Sequence, residues 1–144
     1  KVLKFHETKR ALVTLIVKRL TPSLPYESVG LDSSGKIVAI GKKGGEKYPI
    51  KTFFTGFHVM ESDIFEYFPK KRKTFCIIND VYLPLMKKGA PLFGYLYRGN
   101  WNDIGSLDLY LKYHKKHLPK KEWLYFKERL LKLFPGIIFP RTVE

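Results

Sequence analysis

Two side chains able to do chemistry stand two residues apart in Gly99-Asn100-Trp101-Asn102-Asp103-Ile104-Gly105: an indole and a carboxylate. The segment follows a short apolar run, Leu92 to Tyr97, and precedes a helix start at Ser106, so it reads as a strand-to-helix turn. On extended backbone, residues two apart point to the same side. An apolar wall beside a single acid is a way to hold a metal ligand against a polar substrate. The same residues also make an ordinary turn with a core Trp and a solvated Asp. Other candidates carry less. His114 and His117 are three apart on a predicted helix and could face one metal, but no third ligand accompanies them. His58 reads as packed or hydrogen-bonded in a strand, and Cys76 as a small core residue. Lys70-Lys71-Arg72-Lys73 and the group Lys115, Lys116, Lys120 and Lys121 read as solvated basic faces.

Elements of both types must position these residues. Val2 to Lys9 reads as the end of a helix, and Ala11 to Val17 as a strand buried on both faces. Ser28–Leu31 and Ile37–Ile40 flank Asp32-Ser33-Ser34-Gly35, a hairpin signal in which Gly35 supplies positive φ. Gly41 to Pro49 is a lysine- and glycine-rich loop, followed by an aromatic and β-branched strand over Thr52 to Met60. Ser62 is expected to cap a short helix ended by Pro69, and Asn79 or Asp80 to start another that runs to about Lys88. Leu92 to Tyr97 is a strand. Ser106 caps a helix with Leu107, Tyr110, Leu111 and His114 on one face, and Glu122 to Leu133 is an amphipathic helix with Trp123, Phe126 and Leu130 aligned. Alternating strands and helices imply a layered α/β fold.

At 144 residues the chain has the size of one domain, able to bury roughly 70% of its unfolded surface. Apolar residues at 44% and aromatics at 15% exclude a disordered chain. The 27 basic and 13 acidic residues leave +14, which attracts phosphate groups or polyanions. One cysteine excludes an internal disulfide and points to a reducing compartment. No apolar run reaches the roughly 18 residues of a spanning helix, so the expectation is a soluble, cytoplasmic protein with no membrane partner. The chain begins at Lys1 within a helix and ends in Ile137-Ile138-Phe139-Pro140, which suggests a piece of a longer protein.

Several segments, in order, resemble the C-terminal half of the sugar-1-phosphate nucleotidylyltransferases, with the mannose-1-phosphate guanylyltransferase branch nearest. They are Leu3-Lys4-Phe5-His6 with the strand Ala11 to Lys18, Tyr26 to Asp32, and Gly35-Lys36-Ile37-Val38. Phe54-Thr55-Gly56-Phe57, Asn79-Asp80-Val81-Tyr82-Leu83-Pro84-Leu85, and Gly94-Tyr95 through Trp101-Asn102-Asp103-Ile104-Gly105 follow. The resemblance implies the C-terminal part of a three-layer α/β/α, Rossmann-like domain with a mixed sheet. It places residues 1–118 on the sugar-phosphate side and 119–144 in a helical extension. It also implies transfer of a nucleotidyl group from a nucleoside triphosphate (GTP) to a sugar 1-phosphate (mannose 1-phosphate), with release of pyrophosphate and Mg²⁺ as cofactor.

By the same resemblance Asp103 is a metal ligand and Trp101 the wall beside the sugar. Lys43 stands at the lysine of the family's Glu-Lys-Pro motif and would reach the sugar phosphate. Lys42 stands where that motif has its sugar-binding glutamate, and Glu46 is an alternative source of the carboxylate. Thr55 and Gly56 match the sugar-contacting segment. Tyr26 matches a Tyr-Gly pair whose glycine is Glu27 here. The family's glycine-rich triphosphate loop and its first metal aspartate have no counterpart between Lys1 and Glu144, so the chain alone is expected to be inactive and to need an N-terminal half. A second reading is a basic nucleic-acid-binding module, resting on +14 and on Tyr95, Tyr97, Arg98 and Trp101, although no nucleic-acid motif is present. Without partner strands, Ala11 to Val17 is expected to become an exposed edge that supports self-association.

Overall fold

The apolar runs form a five-stranded mixed sheet in the computed structural model, which describes residues 1–21, 26–41 and 48–136. Two compact units divide the chain, Lys1–Gly99 and Asn100–Glu144. The first contains helix α1 (Val2–Lys9) and strands β1 (Val13–Arg19), β2 (Ser28–Leu31), β3 (Ile37–Ile40) and β4 (Ile50–Met60). A 3₁₀ turn (Ser62–Tyr67), a π-helical turn (Ile77–Tyr82), helix α2 (Leu83–Lys87) and strand β5 (Leu92–Leu96) complete it. The strand order is β3-β2-β4-β1-β5.

β1 is interior, contrary to the expected exposed edge. It pairs antiparallel with β4 and parallel with β5, so both of its ladder sides are taken. β2 lies beside β4 only over Ile50–Phe53. The outer strand β5 is itself met by the β2–β3 hairpin: the Gly94 N–H donates to the Gly35 carbonyl at 2.9 Å, and Lys36 bridges to Phe93. The hairpin tip is built locally, as its residues predict. Asp32 Oδ1 accepts from the Ser34 hydroxyl and from the N–H groups of Ser34 and Lys36, and Gly35 has φ 85°. These donors, the Ser34 hydroxyl first, hold the Asp32 carboxyl below its usual range.

Alternation assigns the two sheet faces. Val13, Leu15 and Val17 point with Val29, Leu31 and Leu92 into a core closed by Ile64, Val81, Tyr82 and Leu85. Opposite, Thr14 meets α1, and Phe5 stands edge-on to Tyr95 at 5.4 Å. Helical segments therefore cover both faces of a mixed sheet, as the layered reading requires.

His6 joins α1 to the sheet. Its Nε2–H donates to the Glu61 carboxylate at 3.0 Å, and Nδ1 accepts from the Thr14 hydroxyl at 2.8 Å in the neutral tautomer. Thr14 is fully buried. His6→Ala would strand that hydroxyl and empty the ring's volume, a loss of about 2–4 kcal/mol in chemical denaturation. Adding Thr14→Val should recover part of the loss, because an apolar isostere needs no partner; a further loss would refute this role.

Two helical starts in this unit differ from the sequence reading. Glu61, not Ser62, precedes the 3₁₀ turn, and Ser62 makes no capping bond. The helical run expected from Asn79 or Asp80 begins at Ile77, because Asp80 Oδ2 reaches back to the Cys76 N–H at 2.8 Å and satisfies it outside the ladder. Arg72 pairs with the same carboxylate at 3.0 Å. Cys76 is exposed rather than in the core, since it sits at that entry with extended backbone.

In the second unit, α3 (Leu107–His117) starts at the predicted cap, where Ser106 Oγ accepts from the Leu109 N–H at 3.3 Å. α4 (Lys120–Leu133) starts directly after Pro119, two residues before the expected Glu122, because that proline occupies the cap position. The ring of Phe126 stacks on His114, with centroids 4.9 Å apart, and lies 6.1 Å from Tyr110. Leu107, expected on this face, is exposed at the first turn. No helix among the described residues is long and apolar enough to cross a membrane.

Candidate active site

One end of the sheet is set by where its strands begin and end. Ile40, Val29, Thr52 and Arg19 form one transverse row across β3, β2, β4 and β1. At or near this row β1 and β3 end, β2 and β4 begin, and β5 ends beside Val17 at Leu96. The carboxyl ends of the parallel pair β1 and β5 therefore share an edge, the place where open α/β sheets hold their ligands.

Tyr26 stands just before β2, and its ring stacks on Phe53 of β4 at 4.7 Å and 22°. Thr55 and Gly56 lie deeper along β4. Thr55, Gly56 and Phe57 together face Ile16 alone, a bulge between the pairs Leu15–His58 and Val17–Phe54. Gly56 makes this possible with φ 92°, and nothing within 4 Å would touch a Cβ there. Thr55 Oγ donates to the Ile16 carbonyl at 2.7 Å, pinning the bulge to β1. Lys42 and Lys43, with Gly44 and Glu46, lie outside the described residues. Tyr48, just after them, lays its ring on Gly30, where a Cβ would come within 2.5 Å of it. That glycine is required by close packing.

Trp101 and Asp103 belong to the second unit, in the irregular segment between β5 and α3, and both are half-buried. Asp103 Oδ1 accepts from the Gly105 N–H at 2.8 Å, so the carboxylate is oriented by its own turn. A Cβ at Gly105 would sit 3.0 Å from that oxygen, a tight contact.

His114 and His117 each engage a carbonyl one turn back through Nδ1, Tyr110 at 2.9 Å and Tyr113 at 2.8 Å. Among the described residues no group of three or more His, Cys, Asp or Glu side chains could hold a metal by itself. His58 is hydrogen-bonded, as its strand position suggests: its Nδ1 lies 2.9 Å from the Tyr82 hydroxyl. Burial lowers the His58 pKa and raises that of Tyr82 to about 12.

Lys18 was not singled out by its sequence context. Its ammonium donates to the Gly99 carbonyl at 2.6 Å and lies 5.5 Å from the Tyr97 ring centroid. The cationic pair Lys18-Arg19 closes an apolar strand, and nothing in the sequence distinguishes Lys18 within it.

Comparison with known proteins bears on the family and the fold. A family model described as nucleotidyl transferase matches residues 1–120. The chain is 27% identical over 106 residues to a mannose-1-phosphate guanylyltransferase from Mycobacterium tuberculosis (strain ATCC 25618 / H37Rv). That alignment covers 73% of this chain and 29% of the relative, so the chain spans under a third of that protein's length. Its fold is similar to that of a Bacillus anthracis protein named as a glucose-1-phosphate thymidylyltransferase and solved with sucrose, with a TM-score of 0.53 and 17% identity. The likeness covers 96% of this chain and 50% of that one. With a family match over five-sixths of its length and a mixed α/β sheet of the corresponding fold, the chain belongs to the nucleotidyl transferase family.

Proposed function

We propose that this chain is the sugar-phosphate side of an enzyme that joins a nucleotidyl group from GTP to mannose 1-phosphate and releases pyrophosphate. The observation that carries this reading is the family match over residues 1–120, which includes the Trp101-Asn102-Asp103-Ile104-Gly105 turn. The identity to a mannose-1-phosphate guanylyltransferase supports the choice of base and sugar. On this reading residues 1–118 form the sugar-phosphate part and 119–144 a helical extension. An N-terminal half of the same protein supplies the triphosphate loop, and the chain alone does not turn over.

The reaction is an in-line displacement at the α-phosphorus, so the protein's tasks are positioning and charge neutralisation. Lys43 engages the sugar phosphate. Tyr26, Thr55, Gly56 and Trp101 shape the sugar's surroundings, and Lys42 stands at the hydroxyl-binding position. Mg²⁺ takes few protein ligands and completes its shell with water and phosphate oxygens. A half-buried carboxylate, oriented by the Gly105 N–H, fits that donor set, and Asp103 would hold the ion. When bound, it would neutralise phosphate charge.

The test uses the natural polypeptide that contains this chain, with four nucleoside triphosphates crossed against mannose, glucose and N-acetylglucosamine 1-phosphates, and pyrophosphate release as the signal. GTP with mannose 1-phosphate should have the highest kcat/KM, by tenfold or more. A different best pair would overturn the substrate assignment, and no release with any pair would overturn the reaction. A gel shift on duplex and single-stranded DNA belongs beside it, because binding that survives near 0.2 M salt would favour the nucleic-acid module. A substrate-selective nucleotidyl transferase instead should lose such binding as salt rises.

A further inference from the structure

The ladder between β1 and β5 ends where the Tyr97 N–H donates to the Val17 carbonyl at 2.8 Å. Past that point β1 continues in register with β4 alone, Lys18 opposite Phe53 and Arg19 opposite Thr52. β5 thus leaves the sheet without a further strand beside it, four residues before Trp101. A side chain takes over from the ladder there. Lys18 Nζ donates to the Gly99 carbonyl at 2.6 Å, a charge-assisted bond in a part-buried setting. The same ammonium faces the Tyr97 ring at 5.5 Å, and that ring folds back over Gly99, where a Cβ would run into the phenol. Cation, ring and glycine interlock, and each accounts for one of the others.

We propose that Lys18 is a positioning residue, fixing the exit of β5 at Gly99 and thereby the point from which the Trp101–Asp103 segment starts. The inference rests on the reading of Asp103 as a metal ligand. Gly99 has wide conformational freedom when nothing holds its carbonyl. Asp103 is four residues further on, and small displacements of a positioned group carry large kinetic costs, about 10²-fold for 1 Å.

The experiment compares Lys18→Met, Lys18→Arg and Asp103→Asn in the natural polypeptide. Hydrogen–deuterium exchange of the peptide spanning residues 97–106 is followed together with kcat and the Mg²⁺ concentration for half-maximal rate. Lys18→Met, which keeps the length and loses the donor, should raise exchange in that peptide. It should also lower kcat about tenfold and raise the Mg²⁺ requirement several-fold, with KM for the triphosphate little changed. Lys18→Arg should restore most of each, because a guanidinium still donates to a carbonyl. Unchanged exchange in Lys18→Met overturns the proposal whatever the kinetics show. Raised exchange with unaltered kcat and Mg²⁺ dependence, in a background where Asp103→Asn is strongly impaired, also overturns it. An active Asp103→Asn enzyme would instead defeat the metal-ligand reading, and the exchange arm then decides the role of Lys18 alone.

Discussion

Asp103→Asn in the natural polypeptide is expected to lower kcat roughly 10²–10³-fold, or about 3–4 kcal/mol of transition-state stabilisation. The substitution is informative because of the local geometry. The Gly105 N–H bonds to Oδ1 at 2.8 Å, and an asparagine side-chain oxygen can keep that bond. The turn bond is kept while the charge is lost. Thermal stability should therefore change little, while the Mg²⁺ concentration for half-maximal rate rises. KM for the sugar 1-phosphate, measured at saturating Mg²⁺, should move less than kcat, since the lost interaction strengthens as charge develops. A variant within threefold of the parent would end the assignment of this carboxylate to the metal.

The second large effect is on stability. Among the described residues Tyr82 is the largest fully buried side chain, and it belongs to the same core cluster as the β1 residues, Ile64 and Leu85. Tyr82→Ala should cost about 3–5 kcal/mol, read as a midpoint lower by roughly 10–20 °C for a domain of this size. A fall under 3 °C would contradict this packing. Tyr82→Phe separates the ring from its hydroxyl, which lies 2.9 Å from His58 Nδ1, and should cost about 1–2 kcal/mol.

The same pair sets a pH window. Burial raises the Tyr82 pKa from 10.0 to about 12, so the fold favours the neutral phenol. That stabilisation is complete below pH 10 and declines as pH rises towards 12, by an amount on the order of 2 kcal/mol. Tyr82→Phe should flatten that stretch of the stability curve. Burial lowers the His58 pKa below 6.5, so its contribution is complete above pH 6.5 and is lost as pH falls through the folded value. Denaturation midpoints from pH 5 to 12 in the parent and Tyr82→Phe would check both arms.

Legibility followed the range of the interactions involved. The hairpin over Ser28–Leu31 and Ile37–Ile40 matches its predicted bounds, because Asp32, Ser34 and Gly35 build the turn among themselves. Ser106 caps α3 as read, for the same reason. Cys76 and Asp80 were misread although they are neighbours, since a side chain reaching backwards moved the helix start by two to three residues. Trp101 and Asp103 stand out by residue type and spacing, whereas Tyr26, Thr55 and Gly56 enter only through resemblance. The structure adds a ring stack on Phe53 for Tyr26, a bulge against β1 for Thr55 and Gly56, and a turn bond for Asp103.

Composition, strand periodicity and turn chemistry determined by themselves that this is a layered α/β chain with these elements in this order, because such preferences act over a few neighbouring residues. Tertiary structure alone decided that β1 is an inner strand between β4 and β5, that β4 bulges at Gly56, and that the sheet ends share one edge. It alone joined His6 to Glu61 across 55 residues and Lys18 to Gly99 across 81. Contacts at such separations depend on which strands pair, and the local pattern of a strand is the same whichever neighbour it takes.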